Sequence, residues 1–425
     1  MNTSLRLRAG RGFSLIELLV AMGISTLLMA ALASIFATSV NTREKIDREG
    51  QKIETARYSL DTLAEDIRLA GYFANLAPSL PGAGIVNGAT PADWKYVNPC
   101  STTSGDLPGW STAAAQATPA TNVDVPMPIF GYEMHGAGDL PPTALLGCIG
   151  AYDGTTTLSG APVAGPPPSG GAYRRGTDVF VIRRASTTAI TAGGAGYVSG
   201  DPYFQASTCP EGAVDTLAKY PPRFLAKATA DSSDFNLHKL GCTPTVVGAN
   251  ASLRKLITRI YFISQCDDCF NDLDNNTATM GDGIPTLKMV ELGMSGGALS
   301  VIRNVRTIAP GVENMHLEYG IDTTGDGSID AWVVSDDDPR QTGTTGTAVT
   351  GMRLDASTEN RWEDVMAVKL FLITRDLKTT SGPASTKDFT MGSLPALTTP
   401  ADGYRRRMTS TTIKLVNMSG RREVP

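Results

Sequence analysis

The chain has 425 residues, with 37 basic against 42 acidic side chains and a formal net charge of −5. With 41% apolar and 19% charged residues it buries a real core, which excludes a wholly disordered or fibrous chain. The mild acidic excess argues against nucleic-acid binding, and 44 glycines with 26 prolines favour loops and short strands over a helical bundle.

Residues 1–12 (MNTSLRLRAGRG) carry Arg6, Arg8 and Arg11 and no acid. Residues 13–37 follow as one apolar run with a single charge, Glu17. At 1.5 Å per residue this run makes roughly 37 Å of helix, enough to cross a bilayer core. The flanking arginines belong on the cytoplasmic side, so the bulk of the chain lies across the membrane. A secretory signal peptide, with Ala31-Leu32-Ala33 as its small-x-small cut site, is one reading, and a plain anchor is another. Neither has a use for Glu17. A carboxylate at mid-helix in lipid costs about 2.5–3.5 kcal/mol, less near an end, so an ionisable residue there marks function and calls for a partner.

The run Gly12-Phe13-Ser14-Leu15-Ile16-Glu17-Leu18-Leu19-Val20 resembles the type IV prepilin signature. The resemblance implies a membrane peptidase that cuts between Gly12 and Phe13 and methylates the new Phe13 amine. It also makes Glu17 the assembly residue, whose carboxylate meets the Phe13 amine of a neighbouring subunit. Glycine leaves the scissile backbone sterically open. Two unpaired charges in low dielectric are each costly, so their pairing guides docking and register.

Residues 38–71 continue the helix as an amphipathic half. Ile53, Ala56, Leu60, Leu63 and Ile67 recur at spacings of 3 and 4. Lys45, Arg48, Glu49, Lys52, Glu54, Arg57, Asp61, Glu65 and Asp66 fill the other faces. Gly50 weakens the helix by about 1 kcal/mol relative to alanine. Ala70-Gly71 reads as the stop. A signal peptide cut at Ala33 would not continue this way.

Residues 72–425 are expected to form a β-rich head, in which 78–172 is a loop-rich insertion closed by Pro166-Pro167-Pro168-Ser169-Gly170-Gly171. Strands are expected at 178–184, 254–264, 287–292, 299–308, from Met315 through Ile321, at 365–374 and at 411–418, with 186–250 irregular. The run 365–374 is apolar on both faces, as a central strand requires. The blocks 311–330, 362–375 and 404–418 resemble those of PilW-type minor pilins. The resemblance implies an α+β, type IV pilin-like fold. Its long N-terminal helix, a transmembrane half and an amphipathic half, packs on an antiparallel β-sheet head. The nearest competitor is the K-type pseudopilin of a type II secretion system, a class that typically lacks an acid at the position of Glu17.

Six cysteines on the exported side of a membrane favour disulfides, and proximity suggests Cys100–Cys148, Cys209–Cys242 and Cys266–Cys269. A redox or zinc role for Cys266-Asp267-Asp268-Cys269 lacks a βαβ context, a second cysteine pair and nearby histidines. One stretch matches the first nine positions of an EF-hand loop: Asp322, Thr324 and Asp326 with the Ser328 carbonyl and Asp330, turned by Gly327. This oxygen set suits calcium, the one candidate cofactor. Val333 stands where a bidentate glutamate belongs, so a plain β-hairpin turn competes. The acidic stretch 272–282 reads as a solvated loop. His135, His238 and His316 have no motif around them, and no nucleophile elbow, HExxH or P-loop occurs, so an enzyme is not expected.

The resemblance implies a minor pilin that joins a priming or tip complex and supports pilus biogenesis, twitching motility and adhesion. Its implied partners are other minor pilins, the major pilin, a PilY-type tip adhesin, the prepilin peptidase and the inner-membrane assembly platform. The precursor would sit in the inner membrane with its head in the periplasm, and later at the pilus tip on the cell surface. A pseudopilin, a membrane-anchored calcium-dependent adhesin and an anchored enzyme are the alternatives.

Overall fold

The computed structural model describes residues 14–74, 92–95, 99–100, 123–134, 141, 145, 148–150, 173–199, 201–206, 224–227, 235, 250–268, 282–295, 298–300, 305–335, 362, 364–380 and 386–419. Gly12, Phe13, Cys209, Cys242, Cys269, His135, His238, residues 272–281 and most of 78–172 lie outside them. The architecture is α+β, a long N-terminal helix followed by antiparallel sheets. It separates into two units, Met1–Ile53 and Glu54–Pro425.

Helix α1 (Leu15–Leu69) runs 55 residues, and Gly50 lies within it without interrupting it. In the first unit its large apolar side chains, among them Leu15, Leu18, Leu27, Met29, Leu32 and Phe36, are exposed. The hydroxyls of Ser25, Thr26, Ser34, Thr38 and Thr42 donate to carbonyls three or four residues back. No hydroxyl in this group leaves an orphan donor on the apolar surface.

In the second unit Ala56, Leu63 and Ile67 of α1 are buried, and Leu60 packs against the core. The expected stripe loses its first member: Ile53 is 47% exposed. α1 stops where expected. Gly71 adopts φ +73°, the left-handed conformation that glycine takes at a helix end, and Tyr72 N–H donates to the Leu69 carbonyl.

The strands follow in chain order. β1 (Ala92–Lys95) pairs in parallel with β2 (Val123–Pro126). β3 (Ile129–Tyr132) pairs with β4 (Val179–Ala185), whose seven residues are all buried. β5 (Tyr203–Ala206) pairs with β6 (Phe224–Lys227) and with the twelve-residue β7 (Leu253–Ser264). β8 (Thr286–Glu291) lies beside β7, and β9 (Gly293–Ser295) pairs with β10 (Ala298–Ser300). β11 (Val305–Pro310) completes the first sheet, ordered β11-β8-β7-β4-β3 with β5 and β6 attached. β12 (Val312–Ile321), β13 (Ala331–Val333), β14 (Val365–Arg375) and β17 (Arg406–Lys414) form the second, ordered β13-β12-β14-β17; β15 (Asp388–Phe389) and β16 (Leu397–Thr398) make a small hairpin before β17. All pairings in both principal sheets are antiparallel.

Gly311 carries the chain from one sheet into the other. Its N–H donates to the Pro285 carbonyl and its own carbonyl accepts the Arg375 N–H, both at 2.8 Å. Its φ is +85° and a Cβ there would lie 3.1 Å from the Arg375 carbonyl oxygen, so no other residue fits without strain. One core cluster joins Leu63 and Ile67 of α1 to Phe180, Ile260 and Phe262 of the first sheet and Leu317, Val368 and Leu370 of the second.

Three expectations need correction. The strand expected over 299–308 is two strands, β10 and β11, with 301–304 outside the described residues. The strand expected over 411–418 begins earlier and ends at Lys414, followed by one helical turn, Val416–Ser419. That turn aims the Asn417 amide at the Arg68 and Ala70 carbonyls, at 3.3 and 3.2 Å, which satisfies orphan acceptors at the end of α1. The region 186–250, expected to be irregular, holds β5 and β6.

Candidate assembly site

The helix begins with Ser14 as its N-cap: the Leu18 N–H donates to the Ser14 carbonyl at 3.1 Å. Glu17 Oε2 reaches back to accept the Ser14 N–H at 3.2 Å. This is the backward half of an S-x-x-E capping box, at the end of the helix where the dipole favours an anion. The other Glu17 oxygen makes no hydrogen bond among the described residues. The carboxylate can therefore accept an incoming cation without leaving its cap. Beside it on the helix lie the exposed apolar side chains Leu15, Ile16, Leu18, Leu19 and Val20. Among the described residues α1 is the one helix long and apolar enough to cross a membrane. Gly12 and Phe13, the residues of the cleavage and methylation site, lie outside the description.

The head is held together by three buried polar clusters. Asp66 of α1, expected on a solvated face, is buried. It accepts from Arg184 Nε at 2.9 Å, Arg259 Nη1 at 3.1 Å and the Tyr261 hydroxyl at 2.7 Å, which ties α1 to β4 and β7. Burial, then the Asp66 charge, pushes the Tyr261 hydroxyl far above its ordinary range, so it remains a neutral donor. At the seam between the sheets, Asp178 accepts the Met134 and Leu317 N–H groups and lies 2.8 Å from His316 Nδ1. Burial alone would lower the His316 pKa, but the charge and hydrogen bond of Asp178 raise it. The third cluster centres on Glu313, which binds Arg406 through both oxygens and Arg174 at 3.3 Å, while Asp402 grips Arg406 from the other side.

Two features of the sequence point to these clusters. Arg183-Arg184 sits in a strand otherwise apolar on both faces, where arginines need buried acids. Asp66 lies three residues after Leu63 and next to Ile67, at the border of the buried stripe.

Cys100 and Cys148 form a disulfide with Cα atoms 5.7 Å apart. Cys266 is also bonded, to a partner outside the described residues, among which no cysteine is free. The pairings of Cys209, Cys242 and Cys269 lie outside the description.

The calcium-like loop is the connection from β12 to β13. Asp322 accepts the Gly325 and Gly327 N–H groups, at 2.6 and 2.9 Å, and Asp326 accepts that of Ser328 at 2.8 Å. Asp330 accepts both the N–H and the hydroxyl of Thr323 and the N–H of Thr324; those bonds, the hydroxyl first, lower its pKa. Val333 is buried in β13. All three carboxylates thus cap the turn's own backbone, and among the described residues no group of three or more His, Cys, Asp or Glu is arranged to hold a metal. The loop closes the hairpin between β12 and β13.

Residues 7–33 match the family model for the prokaryotic N-terminal methylation motif, which, with the apolar helix, fits membrane anchoring. Residues 260–417, which span β12, β14 and β17, match the model for type IV pilus-assembly protein W. That stretch of the head is similar to the family. A type IV-like pilin from Thermus thermophilus is similar over 38% of this chain and 79% of its own, at 15% identity and a TM-score of 0.17. No curated protein matches the chain.

Proposed function

We propose that this protein is a minor pilin that enters a priming or tip complex for type IV pilus assembly. The observation that carries the reading is the lone carboxylate of Glu17, capped at the first turn of an exposed apolar helix. The methylation-motif and PilW matches support it. In this reading the peptidase cuts between Gly12 and Phe13, and the methylated Phe13 amine of a neighbour is the cation that Glu17 receives. The precursor waits in the inner membrane with its head in the periplasm, then moves to the pilus tip. Its partners are other minor pilins, the major pilin, a PilY-type adhesin and the assembly platform. The role is structural, in pilus biogenesis and through it in motility and adhesion.

The test is Glu17→Ala in a complementation assay that scores cleavage, membrane level and surface piliation. Breaking a buried ion pair typically costs about 3–5 kcal/mol, enough to abolish a weak assembly. Cleavage and membrane level should match wild type, and piliation should be lost. Normal piliation would remove Glu17 from the assembly contact.

A further inference from the structure

β17 ends the second sheet. It pairs with β14 from Ala367↔Lys414 to Arg375↔Arg406 without a register break. Among the described residues no strand pairs with its other side. Along 408–413 this edge presents a row of N–H and C=O groups. Natural sheets blunt such edges with prolines, bulges or central charges. Residues 408–413 (MTSTTI) contain no proline, glycine or charge, and Thr409, Thr411, Thr412 and Ile413 are β-branched strand formers. Ser410 and Thr412 are exposed. The register shifts in the second sheet's long pairing fall inside it, between β12 and β14, and not at this edge.

One end of this edge is basic. Arg405 and Arg407 are exposed there. Beside them Arg174, Arg375 and Arg406 converge on one carboxylate, Glu313, at 3.3, 3.8 and 2.5 Å. Asp402 supplies a second counter-charge, through Arg406, and Asp376 is a third acid there, its N–H on the Arg405 carbonyl at 3.0 Å. Arg375 Nε is buried with no partner among the described residues, and its guanidinium stacks 4.2 Å over the Tyr404 ring. Local positive charge thus exceeds negative in a chain whose net charge is −5.

We propose that the outer edge of β17 docks an extended segment of a partner protein, which adds as a further strand with its carboxylates at the Arg405 and Arg407 end. Main-chain hydrogen bonds give such a contact its strength, and the terminal charges fix its register. The surface belongs to the head, and the proposal stands whether or not Glu17 acts as proposed.

The experiment places photoreactive p-benzoylphenylalanine at Ser410 in the full-length chain, in cells, and sequences the linked product by mass spectrometry. A companion chain carries R405E and R407E. The expected result is one polypeptide product linked through an acidic segment, with its yield cut roughly tenfold by the charge reversal. Amide exchange across 408–413 should slow in the isolated complex. Should the reversal lower the unfolding midpoint, R405Q with R407Q gives the same comparison. The proposal is overturned by the absence of a polypeptide product, by linkage to lipid or nucleic acid alone, or by a yield indifferent to both charge changes.

Discussion

Asp66 receives three donors from two strands, so its removal strands two guanidiniums and a phenol in the interior. Asp66→Ala should destabilise the head by about 3–5 kcal/mol, and Asp66→Asn by less, because the amide oxygen still accepts. Urea unfolding of the full chain in detergent measures this; a loss below about 1 kcal/mol would mean that the pair behaves as a surface ion pair. Asp402 sets an acid limit. Hydrogen bonds from Arg406 lower its pKa from 3.8 to about 2. A depressed carboxylate stabilises fully above its unfolded value, and that contribution is lost as pH falls through the folded one. Stability should therefore decline from about pH 4 to about pH 2, and Asp402→Asn should flatten that limb in a pH series of unfolding midpoints. His316 acts with opposite sign: its pKa is raised, so its contribution is full below its ordinary value and fades as pH rises past the folded one. Only Arg183-Arg184 and Asp66 leave a trace of these clusters in the sequence, and none of the individual partners is legible there. A charged side chain reads as solvated until its partners, up to 195 positions away in the case of Asp66 and Tyr261, are brought to it.

At the level of elements, length and apolarity decided what could be read. β7 and β14, twelve and eleven residues long, match their expected spans to within a residue, because their apolar runs exceed what a loop tolerates. β5 and β6 have four residues each and no periodicity to detect. β17 was mis-bounded because its edge residues are polar and do not alternate. The Asp322–Asp330 turn has two readings in sequence, a plain hairpin and a calcium loop, and its carboxylates accept from its own backbone. Adding calcium to the purified chain should leave its unfolding midpoint unchanged, and a rise that Asp326→Asn abolishes would restore the calcium reading. The Cys100–Cys148 bridge joins residues 48 positions apart. Replacing both cysteines by serine should cost about 2–4 kcal/mol by freeing the unfolded chain, measured by chemical unfolding without reductant.

For the molecule as a whole, the long helix and the β-rich head were legible because each follows from a period in the sequence. The way the two sheets join was not, since it turns on the conformation of Gly311 and the seam residue Asp178. Assembly through the N-terminus is the central proposal, because a capped carboxylate, an apolar helix and a methylation-motif match coincide there. Mass spectrometry of the mature amino terminus tests it directly. The account predicts a chain that begins at N-methylated Phe13; a chain that begins at Ser34, or one that keeps residues 1–12, would contradict it.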